Sequence, residues 1–384
     1  MAAMLASSAQ GWPNWSEGLP ISKAGRAEAA RIRRALDAGG HAPEAFRAAV
    51  LRHLLREDRA LLAGIAAYRR HPWRRDVPDP PAIWTEGGSR LLDYGNRAAG
   101  PAVVFVPSLV NRAHVLDLLP GRSLLRFLAA GGVRPLLLDW GWPEEAERGF
   151  TLTDYVAGRL ERALLALPGP VVLAGYCMGG LLALAAALRR PDRVRALGLL
   201  ATPWDFHPDP ATRARAEALA ALLPGLEPVM GAAGALPVDV IQALFTGLDP
   251  WGVAAKYRAF ARLDPVSPRA VGFVALEDWL NDGVPLAAPV ARECLGGWYG
   301  ANTPARGAWR IAGAPVDPGT LDMPCFVAIP HRDRIVPPAS ARALPSRLRE
   351  AIIHEAEAGH IGMAAGGNAE AALWRPLLAW LRGL

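Results

Sequence analysis

Residues 171–187 read VVLAGYCMGGLLALAAA. An apolar run meets Gly175-Tyr176-Cys177-Met178-Gly179-Gly180, and an alanine-rich helical stretch follows at once. The spacing is that of a nucleophile elbow, G-x-S-x-G, with cysteine where serine is usual. Such an elbow needs a very tight strand-to-helix turn, and Gly175 and Gly179 remove the Cβ atoms that would clash across it. Gly180 would let the helix approach the strand closely. A thiol at a helix N-terminus faces the positive end of the helix dipole, which raises its thiolate fraction. The competing interpretation is a small buried cysteine in a glycine-rich turn, since free cysteine often behaves as a small hydrophobe. Strand, spacing and helix together favour the nucleophile.

A nucleophile needs a base, and the base an orienting acid. With an elbow of this kind they follow in the chain order nucleophile, acid, histidine. His360, in Glu357-Ala358-Gly359-His360-Ile361-Gly362, is expected in the loop after the last strand, and Asp333 just after the strand that ends near Ile329-Pro330-His331-Arg332. Taken alone they would be a surface histidine and a solvated turn carboxylate; their position in the chain order singles them out. Asp139 also ends a strand and is the reserve acid, while His331 and His354 read as structural or exposed. His331-Arg332-Asp333 matches the first letters of a kinase catalytic loop, but no accompanying kinase motif is present. His354 and His360 are six residues apart rather than the four that would set two zinc ligands on one helical face, so metal catalysis is disfavoured. An oxyanion formed by attack of Cys177 would need two N–H donors. The Met178 amide is one candidate, and Val110, in the loop Pro107-Ser108-Leu109-Val110-Asn111-Arg112, is the other.

Stepping along the chain, apolar runs end in these special residues: AVVFVPS (102–108), RPLLLDW (134–140), VVLAGYC (171–177) and VRALGLLATP (194–203). Helical segments separate them, which predicts a mostly parallel sheet with helices on both faces. Ligands of such sheets sit beyond the carboxyl ends of the strands, where Cys177 would lie. From about Pro203 to Met323 the alternation breaks down into Pro-, Gly- and Ala-rich helical pieces. Its tryptophans, Trp204, Trp251, Trp279, Trp298 and Trp309, are expected to pack a cap core. The sheet resumes with CFVAIPHRD (325–333) and AIIHEAEAGH (351–360), and NAEAALWRPLLAWLRGL (368–384) closes as a helix. The expected organisation is a helical region and linker at 1–82, a core at 83–203, a cap insertion at 204–323 and the rest of the core at 324–384. Residues 1–22 read as a loose polar arm and 23–70 as one or two helices.

The 384 residues are 52% hydrophobic, enough for a sizeable core. The net charge is +6, but the arginines are scattered and often beside acids, as in PEEAER (143–148) and RRPDRVR (189–195). Without a basic stripe interleaved with aromatics, nucleic-acid binding is not expected. Three dispersed cysteines, Cys177, Cys294 and Cys325, make neither a disulfide framework nor a zinc site. No basic region followed by a long apolar run opens the sequence, and no run reaches the ~18 residues of a membrane span, so a cytoplasmic setting is expected.

At this point the chain resembles the polyhydroxyalkanoate synthases. The residues that carry the resemblance are VVFVPSLVNRAHVLDLLPGRSL, PLLLDWGWP, the GYCMGG elbow, and DRIVPP with GHIGM, spanning roughly 83–384. The resemblance implies an α/β-hydrolase fold with an inserted cap, in which Cys177 takes an acyl group from a hydroxyacyl-coenzyme A thioester, with Asp333 as acid and His360 as base. It implies no cofactor, coenzyme A entering as part of the substrate. The short length and the GHIG ending are most similar to the class whose catalytic subunit works with a second subunit, and homodimers and a polyester granule surface are further implied partners. Two departures stand out. Arg334 follows the acid where the family often has histidine, and LEDWLNDGVPLAAP (276–289) matches the family's cap stretch only loosely. Two other functions remain open: a hydrolase on the same triad (a thioesterase or an intracellular polyester depolymerase), and a catalytically silent granule or scaffold protein.

Overall fold

A computed structural model describes residues 22–95 and 100–384; the arm read over 1–22 lies, but for Ser22, outside the described residues. The chain forms two compact units, Met1–Trp73 with Pro250–Val274, and Arg74–Asp249 with Ala275–Leu384.

In the first unit, helix Lys23–Ala38 starts at Ser22, whose hydroxyl accepts from the Gly25 amide at 3.1 Å. Helix Pro43–Arg70 follows, opened by a proline whose missing N–H costs nothing there. It packs on helix Pro250–Phe260, with Gly64 against the Tyr257 carbonyl and Arg258 paired to Glu57 at 3.0 Å. Phe260 and Phe273 stack at 4.3 Å, and His71 Nε2 bonds the Pro265 carbonyl at 2.8 Å.

The second unit is built on an eight-stranded sheet. Its strands are β1 (Ala82–Glu86), β2 (Ser89–Asp93), β3 (Ala102–Val106), β4 (Arg134–Asp139), β5 (Val171–Tyr176), β6 (Val194–Leu200), β7 (Cys325–Pro330) and β8 (Ala351–Ala356). The spatial order is β1-β2-β4-β3-β5-β6-β7-β8. β2 runs antiparallel to both neighbours, and every other pairing is parallel. The apolar runs of β3, β5 and β7 are what a strand covered on both faces requires, and β5 and β7 are buried along their whole length. β8 is the edge and leaves Ile352 and Ile353 exposed. Helix Met178–Arg189 runs back from β5, buried from Met178 through Ala187. β4 lies on one side of β3 and β5 on the other, so the order reverses here and opens a crevice beyond their carboxyl ends.

The scattered charges resolve into specific pairs. Asp117, with no exposed side-chain surface, is gripped by Arg126 at 2.8 and 2.9 Å and by the Tyr94 hydroxyl at 3.0 Å. Glu147 of PEEAER pairs with the distant Arg159, whereas Asp192 of RRPDRVR takes its neighbour Arg190. Of the five tryptophans expected to pack inside, Trp204, Trp279, Trp298 and Trp309 are buried; Trp251 is 58% exposed and does not. Trp298 meets Trp309 edge-on at 5.4 Å and Phe206 in a stack at 6.0 Å.

Candidate active site

Cys177 stands at the tip of the turn between β5 and the following helix, with φ 56° and ψ −128°. That left-handed backbone is unfavourable for a residue with a Cβ and is held by its surroundings. The Cys177 amide donates to the Leu200 carbonyl at 2.8 Å, and the Gly180 amide to the Cys177 carbonyl at 2.9 Å. A Cβ on Gly175 would strike Gly179 and Gly180, one on Gly179 the Val106 and Pro107 carbonyls, and one on Gly180 the Thr202 side chain. All three glycines of the motif are therefore close-approach positions. The Thr202 hydroxyl against Gly180 is buried with no hydrogen-bond partner among the described residues.

His360 and Asp333 meet largely out of contact with solvent. His360 Nδ1 is 2.6 Å from Asp333 Oδ2, and the two residues are 7% and 5% exposed. Asp333 Oδ1 accepts the Ile335 and Val336 amides, each at 2.8 Å, so the carboxylate is fixed by the turn that follows β7. His360 opens the short helix His360–Ala365 rather than lying in an open loop. Its ring also feels the charge at Cys177, the largest influence that raises its pKa. Burial works against a charged ring, but the negative charge at Cys177 and the hydrogen bond to Asp333 outweigh it. The His360 pKa is pushed up to about 10. Asp333, in the turn after β7, and His360, at the head of its short helix, are thus brought together.

Asp139 is not part of this group. Its Oδ2 is 2.7 Å from Arg90 on β2 and its Oδ1 accepts the Gly141 amide at 3.1 Å, beside a cavity of about 280 Å³ that Arg112 and His114 also line. His331 is paired with Glu355 at 2.9 Å, and His354 Nε2 bonds the Ala372 carbonyl at 2.7 Å; both are occupied elsewhere. Arg334, next to Asp333, is exposed and paired with Asp249.

As the first residue of its helix, Met178 has an N–H with no acceptor within the helix. The Val110 N–H makes only a long contact, 3.4 Å, with Ser108 Oγ, and a better acceptor would displace it. The Val110 carbonyl accepts the Val284 amide at 3.2 Å, which ties this loop to the inserted segment.

Three residues to which the sequence assigned no part in the site also adjoin it; Trp279 is the one expected to pack the cap core. The Tyr176 hydroxyl donates to the His360 carbonyl at 3.2 Å, and burial, then the charges of Cys177 and Asp333, push its phenol well up. The Tyr299 phenol is raised by burial and then by the charge of Cys177, and its ring meets Phe206 edge-on at 4.9 Å. Trp279 Nε1 donates to the Arg112 carbonyl at 2.7 Å. Tyr176, inside the motif itself, was the one with a local signal. No group of three or more side chains able to hold a metal exists among the described residues, and no described helix is long and apolar enough to cross a membrane.

A family model described as alpha/beta hydrolase fold matches residues 101–260. The chain is 30% identical to the poly(3-hydroxyalkanoate) polymerase subunit PhaC of Synechocystis sp., over 73% of this chain and 77% of that one. It is 28% identical to the PhaC of Haloferax mediterranei over 78% of this chain, but spans only 62% of that longer relative. The solved structure of BpoC from Mycobacterium tuberculosis superposes with a TM-score of 0.51 at 16% identity, covering 80% of this chain and 99% of that one, and shares the fold.

Proposed function

This chain belongs to the poly(3-hydroxyalkanoate) polymerase family, and on that premise we propose that it transfers hydroxyacyl groups from hydroxyacyl-coenzyme A, through a thioester on Cys177, to the hydroxyl end of a growing polyester. The observation that carries the catalytic part is the buried Asp333–His360 pair, 2.6 Å apart, whose ring responds to the charge of a cysteine held at the tip of an elbow.

The raised His360 pKa makes the imidazole a strong acceptor for the Cys177 thiol proton. The Cys177 thiolate adds to the thioester carbonyl, and the Met178 and Val110 N–H groups receive the developing oxyanion. The bond to the coenzyme A sulfur breaks, and that sulfur takes the proton from His360. One thioester has replaced another, with little change in energy. The chain-end hydroxyl then attacks the enzyme thioester while neutral His360 takes its proton, and Cys177 leaves as thiolate, restoring the site. Asp333 holds the imidazole in orientation throughout. The inserted segment 204–323 serves as the cap that keeps water from competing.

Coenzyme A enters as part of the substrate, with no further cofactor. The relatives are named as polymerase subunits, which supports a second subunit as partner, with the cytoplasmic polyester granule as the place of work. Purified protein given 3-hydroxybutyryl-coenzyme A tests the reading: free thiol must appear together with polymer. Free acid in place of polymer would make the protein a hydrolase, and no thiol release would remove the enzymatic reading altogether.

A further inference from the structure

The loop that carries the Val110 amide is gripped by four residues of the inserted segment. Trp279, 4% exposed, donates its indole N–H to the Arg112 carbonyl at 2.7 Å. Arg112 Nε lies 3.4 Å from the Asp282 carboxylate. Asn111 and Gly283 form an antiparallel bridge, and the Val284 amide donates to the Val110 carbonyl at 3.2 Å. Every contact falls on one of three consecutive residues, Val110, Asn111 and Arg112. Against this the Val110 N–H has only its 3.4 Å contact with Ser108 Oγ to hold it. With the carbonyls on either side of Asn111 fixed, the Val110 peptide has little freedom to turn its N–H away from the crevice. Contacts across a loop of this kind set the direction of a donor without touching the reacting atoms.

We propose that Trp279 is a positioning residue for the oxyanion donor Val110: the inserted segment clamps the loop Val110–Arg112, so transition-state stabilisation is assembled only while that segment is seated. The proposal rests on the functional reading above. It makes the cap part of the rate-determining electrostatics as well as a cover against water.

Trp279→Phe keeps an aromatic ring and deletes the N–H that holds the Arg112 carbonyl. Trp298→Phe is the control, since its buried indole N–H has no partner among the described residues. With 3-hydroxybutyryl-coenzyme A, Trp279→Phe is expected to lower kcat roughly ten- to a hundredfold with KM unchanged, while the control keeps wild-type kcat. Gly283→Ala approaches the same loop from the backbone, because its Cβ would press on the Val238 side chain at 2.7 Å, and should lower kcat in the same direction. Amide exchange over residues 110–112 gives a readout independent of turnover: faster in Trp279→Phe than in wild type, at an unchanged unfolding midpoint. Equal kcat losses in Trp279→Phe and the control, a loss confined to KM, or unaltered exchange would overturn the clamp. Wild-type protein that releases no thiol would sink the functional reading instead, and the exchange measurement would still decide the clamp.

Discussion

Asp333 spends one carboxylate oxygen on backbone and the other on His360: Oδ1 takes two amides at 2.8 Å, and Oδ2 takes the imidazole at 2.6 Å. The carboxylate therefore cannot swing away from the ring without breaking the turn after β7. Asp333→Asn can keep the backbone bonds through its amide oxygen but loses the charge that favours the protonated ring. The expected result is a fall in kcat of about 10²- to 10⁴-fold, followed by thiol release, with the unfolding midpoint little changed. A tenfold loss or less would mean that the pair is structural.

The raised His360 pKa has a definite sign for stability. Unfolded, the imidazole titrates near 6.5; folded, its pKa is pushed up to about 10, because the charge at Cys177 and the hydrogen bond of Asp333 overcome burial. Between those values the native state binds more protons than the unfolded one, so stability falls as pH rises. The contribution is complete below about pH 6.5 and lost on approaching about pH 10. Urea unfolding of wild type and His360→Gln across this range should show the wild-type advantage shrinking as pH rises. A ring proton resonance that titrates with an ordinary imidazole midpoint would contradict it.

The backbone at Cys177, φ 56° and ψ −128°, suits glycine and strains every other residue. Cys177→Gly should raise stability by about 1–3 kcal/mol while abolishing acyl transfer. Chemical denaturation and intact mass after incubation with substrate check both halves: the wild type carries the acyl mass, the variant none. A variant less stable than wild type would mean that the thiol's packing outweighs the strain.

Gly179 faces the carbonyls of Val106 and Pro107 at the end of β3. A methyl group there has only backbone to displace, so Gly179→Ala should cost about 1–3 kcal/mol. It should also lower kcat, because the elbow and the loop that begins at Pro107 would be pushed apart. Wild-type stability in this variant would mean that the two segments separate freely.

The elbow was legible because its causes are local. Strand, glycines and helix lie within one stretch of sequence, and each removes an alternative for the next. Asp333 and His360 were found by their place in the chain order, which the sheet makes a spatial order. What sets Asp139 apart from Asp333 is something the sequence could not display, the antiparallel pairing that sets Arg90 on β2 opposite Asp139 on β4. Helical periodicity shows that a face is buried but not against what, so the packing of residues 250–274 on the amino-terminal helices had no signal in either stretch. The bond from Trp279 to Arg112 spans 167 residues and uses a backbone carbonyl, which every residue carries; its partner was invisible until the chain was folded. Trp251, exposed where its neighbours in type are buried, shows the limit of reading burial from residue type alone.

The crowded glycines of the elbow also bear on heredity. Gly175, Gly179 and Gly180 each abut atoms that leave no room for a methyl group, whereas Cys177 between them is half-buried and already carries a side chain. Cysteine and serine differ there by a single atom, and their codons by a single nucleotide. Replacement at the flanking positions is filtered out by folding before chemistry can act on it. A lineage that carries this turn can thus exchange sulfur for oxygen in one step, inheriting the scaffold intact and changing only whether the bound acyl group is poised to move on or to be released.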